Sequence, residues 1–418
     1  MSTHLAWVSV FISALVASVV IRLWLTSRHI RHVALHRDNV PAPFGASLSL
    51  QAHHKAADYT LAKAQLDLLD TALSAAVLLG WTVLGGLDLL NQALLAALGP
   101  GMAQQMALCV AFLLVGGLLS LPLSLYQTFN VEARFGFNNM TLRLWCADLL
   151  KGLLVGAALG LPLLWAVLWL MGAMGTWWWL AAWLLLTVYQ LLVMWIAPNW
   201  IMPLFNKFTP LADEELRQQA TQLMERAGFT ASGFFVIDGS RRSAHSNAFF
   251  TGIGRHKRVV FFDTLLTQLS HAQMQAVLAH ELGHFHHRHI LKRMAVSFAL
   301  SLLSLALLGW LTRQVWFYTG LGVQPDLMAS NDALALLLFM LTMPVFTFFI
   351  EPVLSQLSRR HEFQADAYAA RLTNGRDLAD ALLKLHQDNA TTLTPDPLYA
   401  KFHYSHPPAA QRIAQLTI

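Results

Sequence analysis

An all-α integral membrane protein with seven spanning helices and two polar segments is the fold that this sequence predicts. Three observations carry the prediction. Of 418 residues, 56% are hydrophobic and only 12% charged, about half the ~25% expected of a soluble globular chain, and the mean hydropathy is +0.48. Seven apolar stretches, roughly 5–25, 71–95, 103–127, 152–172, 177–197, 294–312 and 333–351, are each long enough to cross ~30 Å of hydrocarbon as a helix. Fourteen Trp and 24 Phe supply side chains of the kind that anchor at bilayer interfaces.

The first stretch is apolar except for Arg22 and is followed by Arg28, Arg31 and Arg37. A cleavable signal carries its charges before the apolar core, so the reversed order predicts an uncleaved span with a cytoplasmic basic flank. Asp88 interrupts the second stretch and Pro122 lies in the third; proline is tolerated where neighbouring helices satisfy the freed backbone groups. Basic residues gather in alternate connections. Residues 26–66 carry Arg28, Arg31, Arg37, Lys55 and Lys63, residues 128–151 carry Arg134, Arg143 and Lys151, and Arg359 and Arg360 follow the seventh stretch. Residues 96–102 and 173–176 have neither Lys nor Arg, and 313–332 have only Arg313. The positive-inside rule then places the N-terminus outside and the C-terminus inside. The formal charge of +5 is thereby a matter of topology; a lipid bilayer is the expected partner and nucleic acid is not. Cys109 and Cys146 sit in or beside apolar stretches and form no C-x-x-C pair, which argues against a disulfide scaffold and thiolate ligation.

The chain divides into residues 1–197 with helices one to five, 198–293 as a polar segment, 294–351 with helices six and seven, and 352–418 as a C-terminal segment. The two polar segments share the cytoplasmic side. Within the first, 212–227 reads as an amphipathic helix opening on Asp213, Glu214 and Glu215 and stopping at Gly228, as the helix dipole favours. Strand-like runs follow from Phe234 to Asp238, Ser246 to Gly252 and Arg258 to Asp263, with Gly252 and Gly254 supplying a turn. Ser270 and Gln273 resemble a capping box for a helix reaching about His289.

That helix carries His280-Glu281-Leu282-Gly283-His284, an H-E-x-x-H motif. Positions i and i+4 share a helix face, so both imidazoles can reach one ion while Glu281 stands where a carboxylate can deprotonate an activated water. An open zinc site needs a third protein ligand. Glu362 is the best candidate, and Asp366, one turn later on the same helical run, can accept a ligand imidazole N–H. His286, His287 and His289 read as a polar helix end, and Arg412 reads as solvated by default, with pairing to a carboxylate near the site as the alternative. Asp70 and Asp88 are acids at membrane depth.

The chain resembles the integral-membrane zinc metallopeptidases of the CAAX prenyl protease type I family, of the bacterial sort. Five runs in family order carry the likeness: Arg134-Phe135-Gly136-Phe137-Asn138, His245 to Phe250, Ala276 to His284, Glu362 to Asp366, and Ser405-His406-Pro407-Pro408. The resemblance implies seven helices around a large intramembrane chamber, capped by a cytoplasmic gluzincin-type metallopeptidase domain with a small β-sheet. It implies one Zn²⁺ per chain on His280, His284 and Glu362, Glu281 as general base, and His406 as donor to the oxyanion. It also implies that Asn247, Ala248, Phe249 and Phe250 lie along the substrate. The expected activity is zinc-dependent endoproteolysis near the C-terminus of CAAX-type, prenylated or other membrane-associated polypeptides, with the site on the cytoplasmic face of a bacterial inner membrane. The eponymous reaction removes the last three residues of a C-a-a-X motif. Two other readings stay open: a quality-control protease without prenyl preference, and a transporter or channel with a structural metal site. The oligomeric state leaves no signature in the sequence.

Overall fold

The computed structural model describes residues 3–41, 44–45, 48–252, 256–326 and 330–417. Helices α1 (Thr3–Leu35), α2 (Leu50–Trp81), α3 (Gly86–Leu98), α4 (Met102–Tyr126), α5 (Leu142–Ala173), α6 (Trp178–Ile196) and the short α7 (Met202–Phe205) build the first half. π-Helical turns extend α4 through Gln127–Glu132 and α6 through Ala197–Ile201. The polar segment follows as β1 (Phe208–Pro210), α8 (Glu214–Arg226), β2 (Thr230–Ile237), β3 (Ala248–Thr251), β4 (His256–Phe262), α9 (Asp263–Gln268) and α10 (His271–His286). Then come α11 (His289–Leu311), α12 (Val315–Thr319), α13 (Asp332–Thr347), α14 (Glu351–Leu372), α15 (Gly375–Asp388), α16 (Pro397–His403) and α17 (Ala409–Leu416).

Among the described residues, five helices are long and apolar enough to cross a membrane, and two bent pairs bring the total to seven. The number matches the expectation; the boundaries do not. Residues 26–66, read as a connection, are mostly helix, because α1 runs on to Leu35 and α2 starts at Leu50. The stretch 71–95 breaks by 47° between α2 and α3. Gly85 takes φ +80° there, and a Cβ on Gly86 would stand 2.5 Å from the Gly80 carbonyl oxygen; only glycine fits such a fold-back. Asp88 falls in the first turn of α3, where the helix dipole favours it, and its Oδ1 accepts from Gln324 N at 3.1 Å. The seventh stretch likewise ends in a 67° bend between α13 and α14, with Pro352 in the first turn of α14, where its missing N–H costs nothing.

The membrane helices share one buried core. Their core joins Phe11 of α1, Leu108 of α4, Leu168 of α5, Trp178 of α6, Leu308 of α11 and Leu338 of α13. In helices of alternating direction those positions share one level, the side predicted to be outside. At the opposite level Leu150, Leu153 and Leu154 of α5, Met194 and Trp195 of α6, and Val296 and Leu300 of α11 are exposed. Only 11%, 11% and 6% of the apolar windows of α4, α5 and α6 are buried, whereas a helix in a solid bundle hides a stripe at least ~100° wide. These helices bury little of their apolar surface against one another.

A four-stranded sheet of order β1-β2-β4-β3 stands beside α10. β2 and β4 are parallel, with a register shift between Ala231 and Phe234, and β3 pairs antiparallel to β4 at the sheet edge. The three predicted runs are all strands, and β1 was not foreseen. Gly252 has φ +109° as a turn residue should, while Gly254 lies outside the described residues. Leu216 and Leu223 of α8, Phe261 of β4, Leu278 and Leu282 of α10 and Leu382 of α15 share one core, which fixes the motif helix from several sides.

Candidate metal centre

Ser270 and Gln273 close the predicted capping box on α10. One turn later than its midpoint, the helix presents His280 and His284 with their Nε2 atoms 3.3 Å apart. α14 packs against α10 beside Gly283, where a Cβ would meet Ala365 Cα at 3.0 Å and Ala365 O at 3.1 Å. This contact brings Glu362, one turn earlier on α14, over the two imidazoles. Its Oε2 stands 3.5 Å from His280 Nε2 and its Oε1 3.4 Å from His284 Nε2.

The three side chains fit a divalent ion. Atoms ~2.0–2.1 Å from one centre at tetrahedral angles stand ~3.3 Å from each other, which is the spacing observed. Glu362 Oε2 is buried and lacks a hydrogen-bond donor, although His406 Nδ1 lies only 2.8 Å away, out of hydrogen-bonding alignment. A buried, unsatisfied carboxylate oxygen requires a partner, and an ion would be one. Among the described residues this is the one group of three or more ligand-type side chains with such convergence.

Partners behind the imidazoles fix their tautomers. His280 Nδ1 lies 2.8 Å from Asp366 Oδ1, so it donates there and leaves Nε2 as the nitrogen that would face an ion once its proton is lost. His284 Nδ1 lies 3.1 Å from His289 Nδ1, and His289 Nε2 lies 2.8 Å from Gln364 Oε1. Gln364 accepts from His289, whose other nitrogen accepts from His284, so His284 Nε2 is bare. Asp366 is held in turn by Arg412 of α17, whose Nη2 and Nε donate to its two oxygens at 2.6 and 2.8 Å. Arg412 Nη1 also stands 3.5 Å from Glu362 Oε2.

Two expectations fail here. Arg412 is buried and paired, not solvated, and His289 is fully buried behind a ligand candidate, not part of a polar helix end. The histidine spacing after the motif offered a signal for His289, and for Arg412 the alternative reading, pairing with a carboxylate near the site, is the one found.

Burial works against a charged His280, but the carboxylates of Asp366 and Glu362 outweigh it and hold the imidazole up at about 9. Burial and the neighbouring His280 press His284 down to about 3. Burial also pushes the Glu281 carboxyl above its ordinary range, against the pull of His280. A carboxyl raised in this way is suited to taking up and releasing a proton.

Asn247 is exposed and its Oδ1 accepts from Ala248 N at 2.8 Å. Ala248, Phe249 and Phe250 belong to the edge strand β3, and the Phe250 ring meets Phe285, next to His284, at 5.6 Å. The approach to β3 is tied to the membrane half. Tyr59 of α2 donates to Glu132 Oε1 at 2.7 Å, and Glu132 Oε2 faces His245 Nε2 at 3.5 Å. Asn389 Oδ1 lies 3.1 Å from both His245 Nδ1 and Ser246 N, and Phe137 stacks on His245 at 4.3 Å. Sequence reasoning missed this network, apart from placing Phe137 and His245 in runs of interest.

Residues 29–207 match the family domain described as CAAX prenyl protease N-terminal, five membrane helices, and residues 210–418 match peptidase family M48. The chain belongs to the M48 peptidases. This M48 peptidase is 34% identical to CAAX prenyl protease 1 of Saccharomyces cerevisiae, over 99% of this chain and 96% of the yeast one. It is 32% identical to the human CAAX prenyl protease 1 homolog over 76% of this chain and 75% of that one. The crystal structure of S. mikatae Ste24p superposes with a TM-score of 0.91 at 32% identity, covering 99% of both chains. The M48 peptidase is therefore a multi-pass membrane metalloendopeptidase, and the transporter or channel reading falls.

Proposed function

We propose that this protein is a zinc-dependent endopeptidase, with one zinc per chain, acting near the C-terminus of CAAX-type prenylated polypeptides. The observation that carries the reading is the triangle of His280 Nε2, His284 Nε2 and a Glu362 oxygen, with sides of 3.3–3.5 Å. Two imidazoles and a carboxylate in an open tetrahedral site suit zinc. When bound, the ion supplies Lewis acidity to a scissile carbonyl and lowers the pKa of water.

The chain's own groups do the rest. Glu281 takes the proton of the attacking water and passes it to the leaving amine nitrogen. His406, beside Glu362 and exposed on its other side, donates to the oxyanion. Asp366 orients His280. The edge of β3 and Asn247, whose Nδ2 has no partner among the described residues, hold an extended substrate by main-chain hydrogen bonds. An apolar tail rests among the membrane helices, whose apolar side chains are largely exposed. The basic connections favour the cytoplasmic face for the metal centre; a bacterial inner membrane rests on the sequence resemblance alone.

The test uses detergent-purified protein on a farnesylated C-a-a-X peptide and its unprenylated twin. Cleavage should vanish with a zinc chelator and fall ~10²–10⁴-fold in Glu281→Gln, which should keep its zinc. A higher rate on the farnesylated peptide supports the CAAX reading; equal rates would favour a quality-control role, and cleavage surviving in Glu281→Gln would overturn the mechanism.

A further inference from the structure

A polar cavity lies at the end of the membrane helices remote from the metal centre. α11 leaves the motif helix at His289 and α13 leads back to α14 and Glu362, so residues 312–331 sit at the far ends of both. There, together with α3 and the start of α4, they border a cavity of ~540 Å³, within the ~300–1,000 Å³ of small-molecule sites. We infer that this cavity binds a neutral polyhydroxylated group, such as the ring of a sugar, through the side-chain amides of Asn91, Gln104 and Gln105. The inference does not depend on the endopeptidase reading.

The three amides are fixed in the helix packing, yet each is only half used. Asn91 of α3 is 5% exposed, and Gln104 and Gln105 of α4 are 4% and 8% exposed. Gln104 Nε2 donates to Asn91 Oδ1 at 2.7 Å, and Gln105 Oε1 accepts from Ala333 N at 3.0 Å. Among the described residues, Asn91 Nδ2, Gln104 Oε1 and Gln105 Nε2 have no hydrogen-bond partner. None of these three ends is sealed in protein, so each opens into the cavity that the side chains line. Only the oxygen of Gln105 can accept the Ala333 N–H, which makes its amino group the free end. In the Asn91–Gln104 pair, whichever amide donates, one amino group and one carbonyl stay free. Polar ends on buried side chains require a partner.

The free ends select the ligand by its hydrogen-bonding capacity. Two of them donate and one accepts. A carboxylate or phosphodiester only accepts, and would face the free carbonyl with nothing to offer it. The described residues that line the cavity include no Lys, Arg or His, and their one charged member, Asp326, is an acid. An ammonium only donates, and would leave both amino groups unpaired. Hydroxyls do both, so neighbouring hydroxyls of one ring satisfy all three ends. Water could do the same, but Leu95, Leu108 and Leu334 share the wall. Such an apolar surface gives water nothing, whereas it covers the C–H face of a sugar ring. The rim is set in advance, because Asn331 accepts from Asp326 N at 3.0 Å and donates to Asp326 O at 2.6 Å. The ring can arrive as a free sugar or as the headgroup of a glycolipid; the chemistry is shared, and the experiment separates the sources.

The experiment places the full-length protein in phosphatidylcholine nanodiscs free of sugar-based detergent. Saturation-transfer NMR reads binding of methyl β-glucoside, of its fully O-methylated ether and of inorganic phosphate. Native mass spectrometry reads retention of monoglucosyl diacylglycerol against diacylglycerol. Wild type should bind the glucoside or retain the glucosyl lipid, and should bind the ether at least ~10-fold more weakly than the glucoside, because a methylated oxygen cannot donate to the free carbonyl. Gln104→Met and Gln105→Met should each weaken binding ~10-fold and keep the wild-type circular dichroism spectrum. Where a variant does not fold, the wild-type contrasts of glucoside with ether and of glucosyl lipid with diacylglycerol decide alone. Retention of the lipid without binding of the free glucoside assigns the cavity to a headgroup, and the reverse assigns it to a soluble sugar. Equal binding of the ether, phosphate bound as tightly as the glucoside, or undiminished binding in a folded Gln104→Met protein would overturn the inference. So would a wild type that takes up neither glucoside nor glucosyl lipid, which would leave water as the occupant.

Discussion

Gly283 offers the sharpest perturbation of the metal centre, because it touches no ligand atom and carries no charge. Its Cβ would stand 3.0 Å from Ala365 Cα, 3.1 Å from Ala365 O and 3.2 Å from Tyr368 Cβ. Two of those atoms are backbone, so no side-chain rotation relieves the contact. Ordinary carbon contacts begin near 3.4 Å, so Gly283→Ala must push α14 away from α10 by ~0.4 Å. Glu362 is three residues from Ala365 on the same rigid helix and moves with it. Metal–ligand distances tolerate only about ±0.2 Å, so the carboxylate drops out of register with His280 and His284. Overpacking of this kind costs ~1–3 kcal/mol of stability, and a loosened ligand should weaken zinc ~10–100-fold. Competition against a chromogenic chelator measures the affinity, and thermal unfolding with and without zinc measures the coupling. Zinc affinity in Gly283→Ala within twofold of wild type would refute the idea that helix spacing at this residue sets the ligand geometry.

Three further outcomes are expected. Arg412→Met should strand Asp366 and Glu362 as buried carboxylates and destabilise the zinc-free protein by ~3–5 kcal/mol; adding Asp366→Asn should recover part of that loss in denaturation experiments. With His280 held near 9 and His284 near 3, zinc uptake at pH 7 should expel about one proton, from His280, and at pH 10 almost none; calorimetry in buffers of different ionisation enthalpy reads this directly. Glu132→Gln removes the charge facing His245 and should raise KM several-fold while kcat and zinc content hold, whereas a loss of zinc would show that the network supports the metal centre itself.

The local parts of this architecture were legible in the sequence, and the distant ones were not. Periodicity of 3.6 brings His280 and His284 together without reference to any other residue, and the turn separating Glu362 from Asp366 places both carboxylates on one face. The Arg412–Asp366 pair joins residues on α17 and α14, and no periodicity reports such a contact. A buried arginine is rare enough that solvation was the natural expectation until its two hydrogen bonds were seen. The spans were counted correctly from hydropathy, yet their limits shifted because an α-helix continues wherever backbone bonds can form, even where polar side chains such as those of 50–66 leave no apolar signal. The break after Trp81 was written in Gly85 and Gly86, and the role of Gly86 depends on a carbonyl six residues back.

The order of the metal-centre residues along the chain has a consequence for how the protein is made. His280 and His284 are synthesised before the last two membrane helices, Glu362 after them, and Arg412 later still. A growing chain therefore carries two imidazoles without their carboxylate, then a carboxylate without its guanidinium. On the proposed assignment, the triangle of His280, His284 and Glu362 closes only after the last two membrane helices have been made, and the Arg412–Asp366 pair only once α17 packs on α14. Every group of the proposed site is therefore in place only after residue 412 has been made.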